Sequence, residues 1–177
     1  MPQISKIVRK DAVTILSDAT RGFNATYAAL QVGGNYPGIP DLVFDFSATS
    51  SNFIQSQVAP QMLDESSNYG YPLMAMYTLG SQDDKDRKFA IFAGLVQLAI
   101  DVYISQETNE ATADTETMAD AIEDAMYSMF NSSSFAPSVL MADAIIYNGD
   151  IALSRAPLQQ AGENWLQQLA FRLTFQL

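Results

Sequence analysis

The sequence predicts an α+β fold, a mainly antiparallel sheet packed against two principal helices. Three observations carry this. From Thr112 to Phe130, apolar residues recur at helical spacing: Met118, Ala121, Ile122, Ala125, Met126, Met129 and Phe130. Residues 90–104 and 169–177 instead place apolar side chains at every second position, the period of a strand. Finally, the strand-like segments come in runs with hairpin-compatible connections, not singly between helices. That order favours antiparallel pairing over a doubly wound parallel sheet.

Each element follows from local pattern. Ile4, Ile7, Val8, Ala12, Ile15, Leu16 and Ala19 step by threes and fours, so residues 4–31 read as helix, broken near Gly22. Residues 33–40 hold three Gly and two Pro, and form a loop. Leu42–Phe46 reads as a strand, and residues 53–63 are ambiguous because Pro60 opposes a continuous helix. Leu73–Leu79 is the next strand, and Gly80–Lys88 the charged connection after it. From Ala90 the even positions are apolar to Ile104, while Gln97, Asp101 and Tyr103 mark a wetter face. After the helix 112–130, Leu140–Tyr147 reads as a strand, Asn148-Gly149 as a tight reversal, and Ile151–Arg155 as the strand pairing back. Leu169, Phe171, Leu173, Phe175 and Leu177 alternate with polar residues in a last, half-buried strand.

At 177 residues the chain is expected to be one domain, 1–177, with residues 33–69 as a loop-rich insertion. A chain this long buries roughly 70% of its unfolded surface and needs no staple. Lys and Arg number 9 against 20 Asp and Glu, a net charge of −11. That balance opposes binding to phosphate backbones and to anionic membranes. Cys and His are both absent, which excludes disulfides, thiolate and imidazole metal sites, and His-activated nucleophiles. Carboxylate, Lys and Tyr chemistry remain open. The first ten residues do not read as a signal peptide, and residues 89–104 are too short and polar to span a membrane. The chain is therefore expected in the cytoplasm, or in something assembled there, with no cofactor.

Residues that could carry chemistry each have a plainer reading. No glycines match GxGxxG or GxxxxGK[ST]. Glu123-Asp124 and Asp114 with Glu116 read as a solvated helix face, and Asp83-Asp84-Lys85-Asp86 lacks EF-hand spacing. Asp101 lies within an apolar strand. It is expected on the wetter face or paired across strands, with Arg172 as the candidate partner; catalysis would demand a matched partner and a cleft. Met118, Met126 and Met129 read as core, not as an adaptable binding face. Trp165 reads equally as an interface anchor or as the edge of the core.

The second half has a particular order. A strand at Pro72-Leu73-Met74-Ala75-Met76-Tyr77 is followed by a charged loop and a long strand, Phe92–Val102. The helix Met118–Met126, the turn Tyr147-Asn148-Gly149-Asp150-Ile151 and the strand Trp165–Phe175 complete it. This order, over residues 72–177, resembles the tail terminator and neck proteins of tailed bacteriophages. The resemblance implies a small α+β subunit that assembles as a ring, usually of six copies, in the virion and is built in the host cytoplasm. The implied partners are further copies of the chain, the tail tube protein and the head-completion or connector protein. DNA would pass through the ring without specific binding, and like charge disfavours its sticking to an acidic protein. Two rivals stay open: another virion structural protein (head-completion, tail tube or baseplate), and a carboxylate-dependent hydrolase or small-ligand module.

Six of the nine residues in Gly80–Lys88 are charged, so the segment contributes little to a core and is expected to project. Gln82, Asp83, Asp84, Lys85, Asp86 and Arg87 are therefore the candidate partner contacts, their mixed charge suiting salt-sensitive recognition. A merely solvated hairpin tip is the alternative.

Overall fold

A computed structural model describes residues 2–33, 35–36, 38–59, 63, 69–83, 94–106, 112–130, 146–161 and 164–176. It shows the expected α+β architecture. The helices are α1 (Pro2–Leu16), α2 (Phe23–Val32) and α3 (Thr112–Phe130). The strands are β1 (Phe53–Ile54), β2 (Leu73–Asp83), β3 (Gly94–Gln106), β4 (Ile146–Arg155), β5 (Gln159–Ala161) and β6 (Asn164–Gln176). Their order is β1-β2-β3-β6-β4, with β5 also paired to β6. All pairs are antiparallel except the short β1–β2 pair.

The break near Gly22 has a steric cause. The Asp18 carboxylate accepts the backbone N–H groups of Thr20 and Arg21, each at 2.9 Å, and turns the chain after α1. Those two N–H bonds hold the Asp18 carboxyl below its usual range. A Cβ on Gly22 would lie 2.4 Å from the Asp18 carbonyl oxygen, so only glycine closes this corner.

The β3–β6 register runs unbroken from Leu95↔Gln176 to Gln106↔Trp165. It puts Val96, Leu98, Ile100, Val102 and Ile104 on one face beside Leu169, Phe171, Leu173 and Phe175, all buried. Helix α1 covers β2 and β3, α3 covers β3 and β4, and α2 packs on both helices. The stripe Met118, Ile122, Met126 and Met129 lies in this core, as its spacing predicts. A fully buried side chain of this size contributes roughly 1.5–3 kcal/mol, so the stripe outweighs α3's acidic exterior. A smaller cluster of Val58, Leu63, Leu73, Ala75, Tyr103 and Leu166 forms against one end of the opposite face.

Three expectations are corrected. Residues 41–46 form no strand, although Leu42 and Phe44 are buried and Val43 is exposed, as alternation requires. Side-chain amides replace the partner strand. Asn24 donates to the Phe44 carbonyl and accepts the Phe44 N–H, both at 2.9 Å. From the other side, Asn52 donates to the Val43 carbonyl at 2.9 Å and accepts the Asp45 N–H at 3.0 Å. An extended segment thus meets its backbone bonds with two asparagines. Asn24→Ala should cost about 1–3 kcal/mol in urea unfolding, because it strips both groups of Phe44 at once. A loss under a few tenths would show that water replaces the amide.

The second correction concerns Asn148-Gly149. The chain does not reverse there; β4 runs through it against β6. Tyr147 faces Phe175 and Ile151 faces Leu173, so Asn148, Gly149 and Asp150 share Thr174 as a bulge. An Asn-Gly pair suits a turn or a bulge, and the long partner strand selects the bulge. The first part of that predicted strand, residues 140–145, lies outside the described residues. Third, Gly80–Asp83 belong to β2 and not to the connection, since Gln97, Val96, Leu95 and Gly94 offer them partners. Residues 90–93 of the predicted third strand lie outside the described residues.

Candidate functional site

The sheet face turned away from the helices is the candidate site. Cross-strand register stacks it in rows. The row Leu73, Tyr103, Gln168 lies under the smaller cluster, beside Val58 and Leu63. The rows beyond it are Ala75, Asp101, Ala170, Ser154, then Tyr77, Ala99, Arg172, Ala152, then Gly80, Gln97, Thr174. Among the described residues of these rows, Gly80, Gln97, Ala152 and Ser154 are exposed and Tyr77, Arg172 and Thr174 half-buried, while Ala75, Ala99, Asp101 and Ala170 are buried; the face is open along its β4 side and its last row.

An ionic network closes its centre. Arg172 stands opposite Ala99, and Asp101 opposite Ala170, so two small residues leave room for a diagonal pair. The Arg172 Nη1 donates to Asp101 Oδ1 at 2.6 Å and to the Phe171 carbonyl at 2.9 Å. The Tyr77 hydroxyl donates to Asp101 Oδ2 at 2.7 Å. Asp101 is 2% exposed, and both its oxygens are engaged. The pairing expected of Asp101 with Arg172 is therefore present, while the participation of Tyr77 was not read from sequence. Period-two spacing puts Tyr77 on the same face as Ala75, but only the β2–β3 register brings it to Asp101.

Burial, reinforced by the bond to Asp101, pushes the Tyr77 hydroxyl up to about 12 from 10.0. Burial also raises Tyr103, with the Asp101 charge adding to it. The folded state therefore holds the Tyr77 proton more tightly than the unfolded chain does. Its contribution is complete below pH 10 and is lost as pH rises towards 12. Melting temperature should fall steeply over that window, and Tyr77→Phe should flatten the fall. An identical alkaline slope in the variant would assign the loss to other tyrosines.

The open half-face continues along β2 and β3 towards the charged connection. A bulge at Leu79, which is 50% exposed, shifts the register between Thr78 and Gly80. Beyond it Gln82 pairs with Leu95 and Asp83 with Gly94. Of the predicted contact residues, Gln82 and Asp83 thus sit in β2, whereas Asp84, Lys85, Asp86 and Arg87 lie outside the described residues.

Elsewhere the sequence reading missed a cluster. Glu116 and Glu123, read as a solvated face, converge together with Asp120 on Arg155 of β4, at 2.7, 2.6 and 2.7 Å respectively. Their i, i+4, i+7 spacing puts them on one stripe, but nothing in sequence identified the arginine. Asp124 accepts a hydrogen bond from the Tyr36 hydroxyl, which that bond pushes up to about 12. No group of three or more carboxylates among the described residues has the arrangement to hold a metal ion. A cleft lined by Leu63, Tyr103, Gln159, Gln160, Ala161, Leu166 and Gln168 holds about 60 Å³, far below the few hundred Å³ of an ordinary ligand site. Asp101 does not line it. Trp165 pairs with Gln106 and Gln160 at the start of β6 and is 38% exposed. No protein-family model matches the chain, and no curated protein matches it.

Proposed function

We propose that the chain is a structural protein of a phage virion, a tail terminator whose copies close into a ring on the end of the tail tube. The supporting observation is the open polar half-face. It is ordered by Arg172, Asp101 and Tyr77 and runs on into β2 and β3 towards the charged connection. A buried ion pair at an exposed sheet face costs desolvation, and in this reading it holds that face in one shape for docking. The resemblance of residues 72–177 supplies the identity of the neighbours: further copies, the tail tube protein and a head-side connector protein. The excess of 20 acidic over 9 basic residues suits a wall past which DNA slides without sticking.

Native mass spectrometry and negative-stain imaging of the purified protein test this. Closed rings, most simply of six copies, are expected. Open filaments would make the protein a tube subunit instead. A monomer both at high concentration and within particles would overturn the reading. A second test replaces Asp84–Arg87 by a short Gly/Ser turn, leaving the paired Gln82 and Asp83 intact. Stability should change by less than about 1 kcal/mol, while joining of tails to heads fails. Normal infectious particles would remove these residues from the docking surface.

A further inference from the structure

We propose that neighbouring copies join by sheet extension, the outer edge of β4 in one copy pairing with the outer edge of β2 in the next. The proposal rests on the ring reading and names the contact that builds the ring. Strand β1 occupies the outer edge of β2 only at Met74 and Ala75. The Met74 N–H donates to the Asn52 carbonyl on that side. By strand alternation the N–H and C=O groups of Met76 and Thr78 point the same way. Beyond Ala75 that edge has no strand partner among the described residues, and nor does the side of β4 away from β6. Unpaired edges of this kind are templates for a further strand.

Direction, row and composition make the two edges complementary. Strands β2, β3, β6 and β4 alternate in direction. Four strands are an even number, so β4 runs opposite to β2. A second copy set beside the first, helices on the same side, therefore offers β4 antiparallel to β2 and continues the pattern. Thr78, Leu98, Leu173 and Ile151 share one row, and Met76, Ile100, Phe171 and Leu153 another. The bulge at Leu79 and the bulge at Asn148–Asp150 both fall just past the Thr78–Ile151 row. Bulges ordinarily blunt an edge, but here a bulge meets a bulge. Met76-Tyr77-Thr78 and Ile151-Ala152-Leu153-Ser154 carry no charge and no proline, the usual guards of a free edge; the charge that ends β4, Arg155, is held by the α3 carboxylates Glu116, Asp120 and Glu123. Ile151 and Leu153, half-buried at the margin of the core, would gain cover from the neighbour's β2. The two edges differ, so the contact is heterologous, the kind that closes rings.

The absence of Cys makes the test direct. Leu79→Cys marks the β2 edge and Ala152→Cys the β4 edge, both at exposed positions. Each variant alone, treated with a short bismaleimide, should stay uncrosslinked. Mixed together they should give covalent dimers, and the double variant a ladder up to the ring size. Ala152→Lys, a charge placed on the edge, should shift rings to folded monomers whose melting temperature matches that of wild-type protein diluted below ring formation. Rings without mixed crosslinks would overturn sheet extension and leave the ring reading standing, as would crosslinks within a single variant. Rings that persist in Ala152→Lys would also count against it. A wild-type protein that never oligomerises would overturn both.

Discussion

Ile122→Asp should abolish soluble expression. Ile122 is fully buried at the centre of the α3 stripe, in one core with Ile100, Leu169 and Phe171. The substitution removes apolar burial and puts a carboxylate into an apolar core. Ionised, it carries a desolvation cost of several kcal/mol; protonated, it still leaves a polar group without its bonds. Whole domains are stable by only about 5–15 kcal/mol, so one such change suffices. Ile122→Val is the matched control. It keeps the chemistry, loses one methylene, and should cost about 0.5–1.5 kcal/mol, with expression retained. Soluble Ile122→Asp protein with the wild-type melting temperature would mean that α3 does not pack on the sheet.

Arg172→Ala should destabilise the fold by about 3–5 kcal/mol, the range for breaking a buried pair. The two ends of this pair differ. The Asp101 side chain is 3% exposed and that of Arg172 33%. Removing the arginine strands a carboxylate that water barely reaches, leaving it only the Tyr77 hydroxyl. Removing the aspartate leaves a guanidinium that can turn into solvent, so Asp101→Ala should cost less than Arg172→Ala. Replacing both residues by Leu should recover most of the loss, since apolar residues of similar volume need no desolvation. Urea unfolding of the two single variants and the double measures all three values. Equal costs in the single variants, or a cost for Arg172→Ala below about 1 kcal/mol, would show that the pair is hydrated.

The same pair shows how far the sequence could be read. Asp101 in an apolar strand announced a partner, and Arg172 in an alternating strand was the candidate. Both signals are local, because each strand's period-two pattern fixes which side chains share a face. Tyr77 and Arg155 carried no such signal. Their bonds depend on which strands are neighbours and in what register. Leu42–Phe46 went wrong for a related reason: alternation predicts an extended chain with one buried side, and residues 41–46 have that. Whether a strand or a side-chain amide supplies the backbone bonds is settled by what packs alongside, here Asn24 and Asn52.

Periodicity along single segments thus made three features legible in the sequence: the α3 stripe, the alternation of β3 and β6, and with them the α+β class. These rest on solvent exclusion along a single segment, a property of neighbours in the chain. The order β1-β2-β3-β6-β4, the bulge at Asn148–Asp150, the extension of β2 to Asp83 and the convergence of three carboxylates on Arg155 emerge only in the folded chain. Each depends on residues far apart in the chain meeting in space. Backbone groups take whichever partner lies opposite, and only the folded chain determines which one that is.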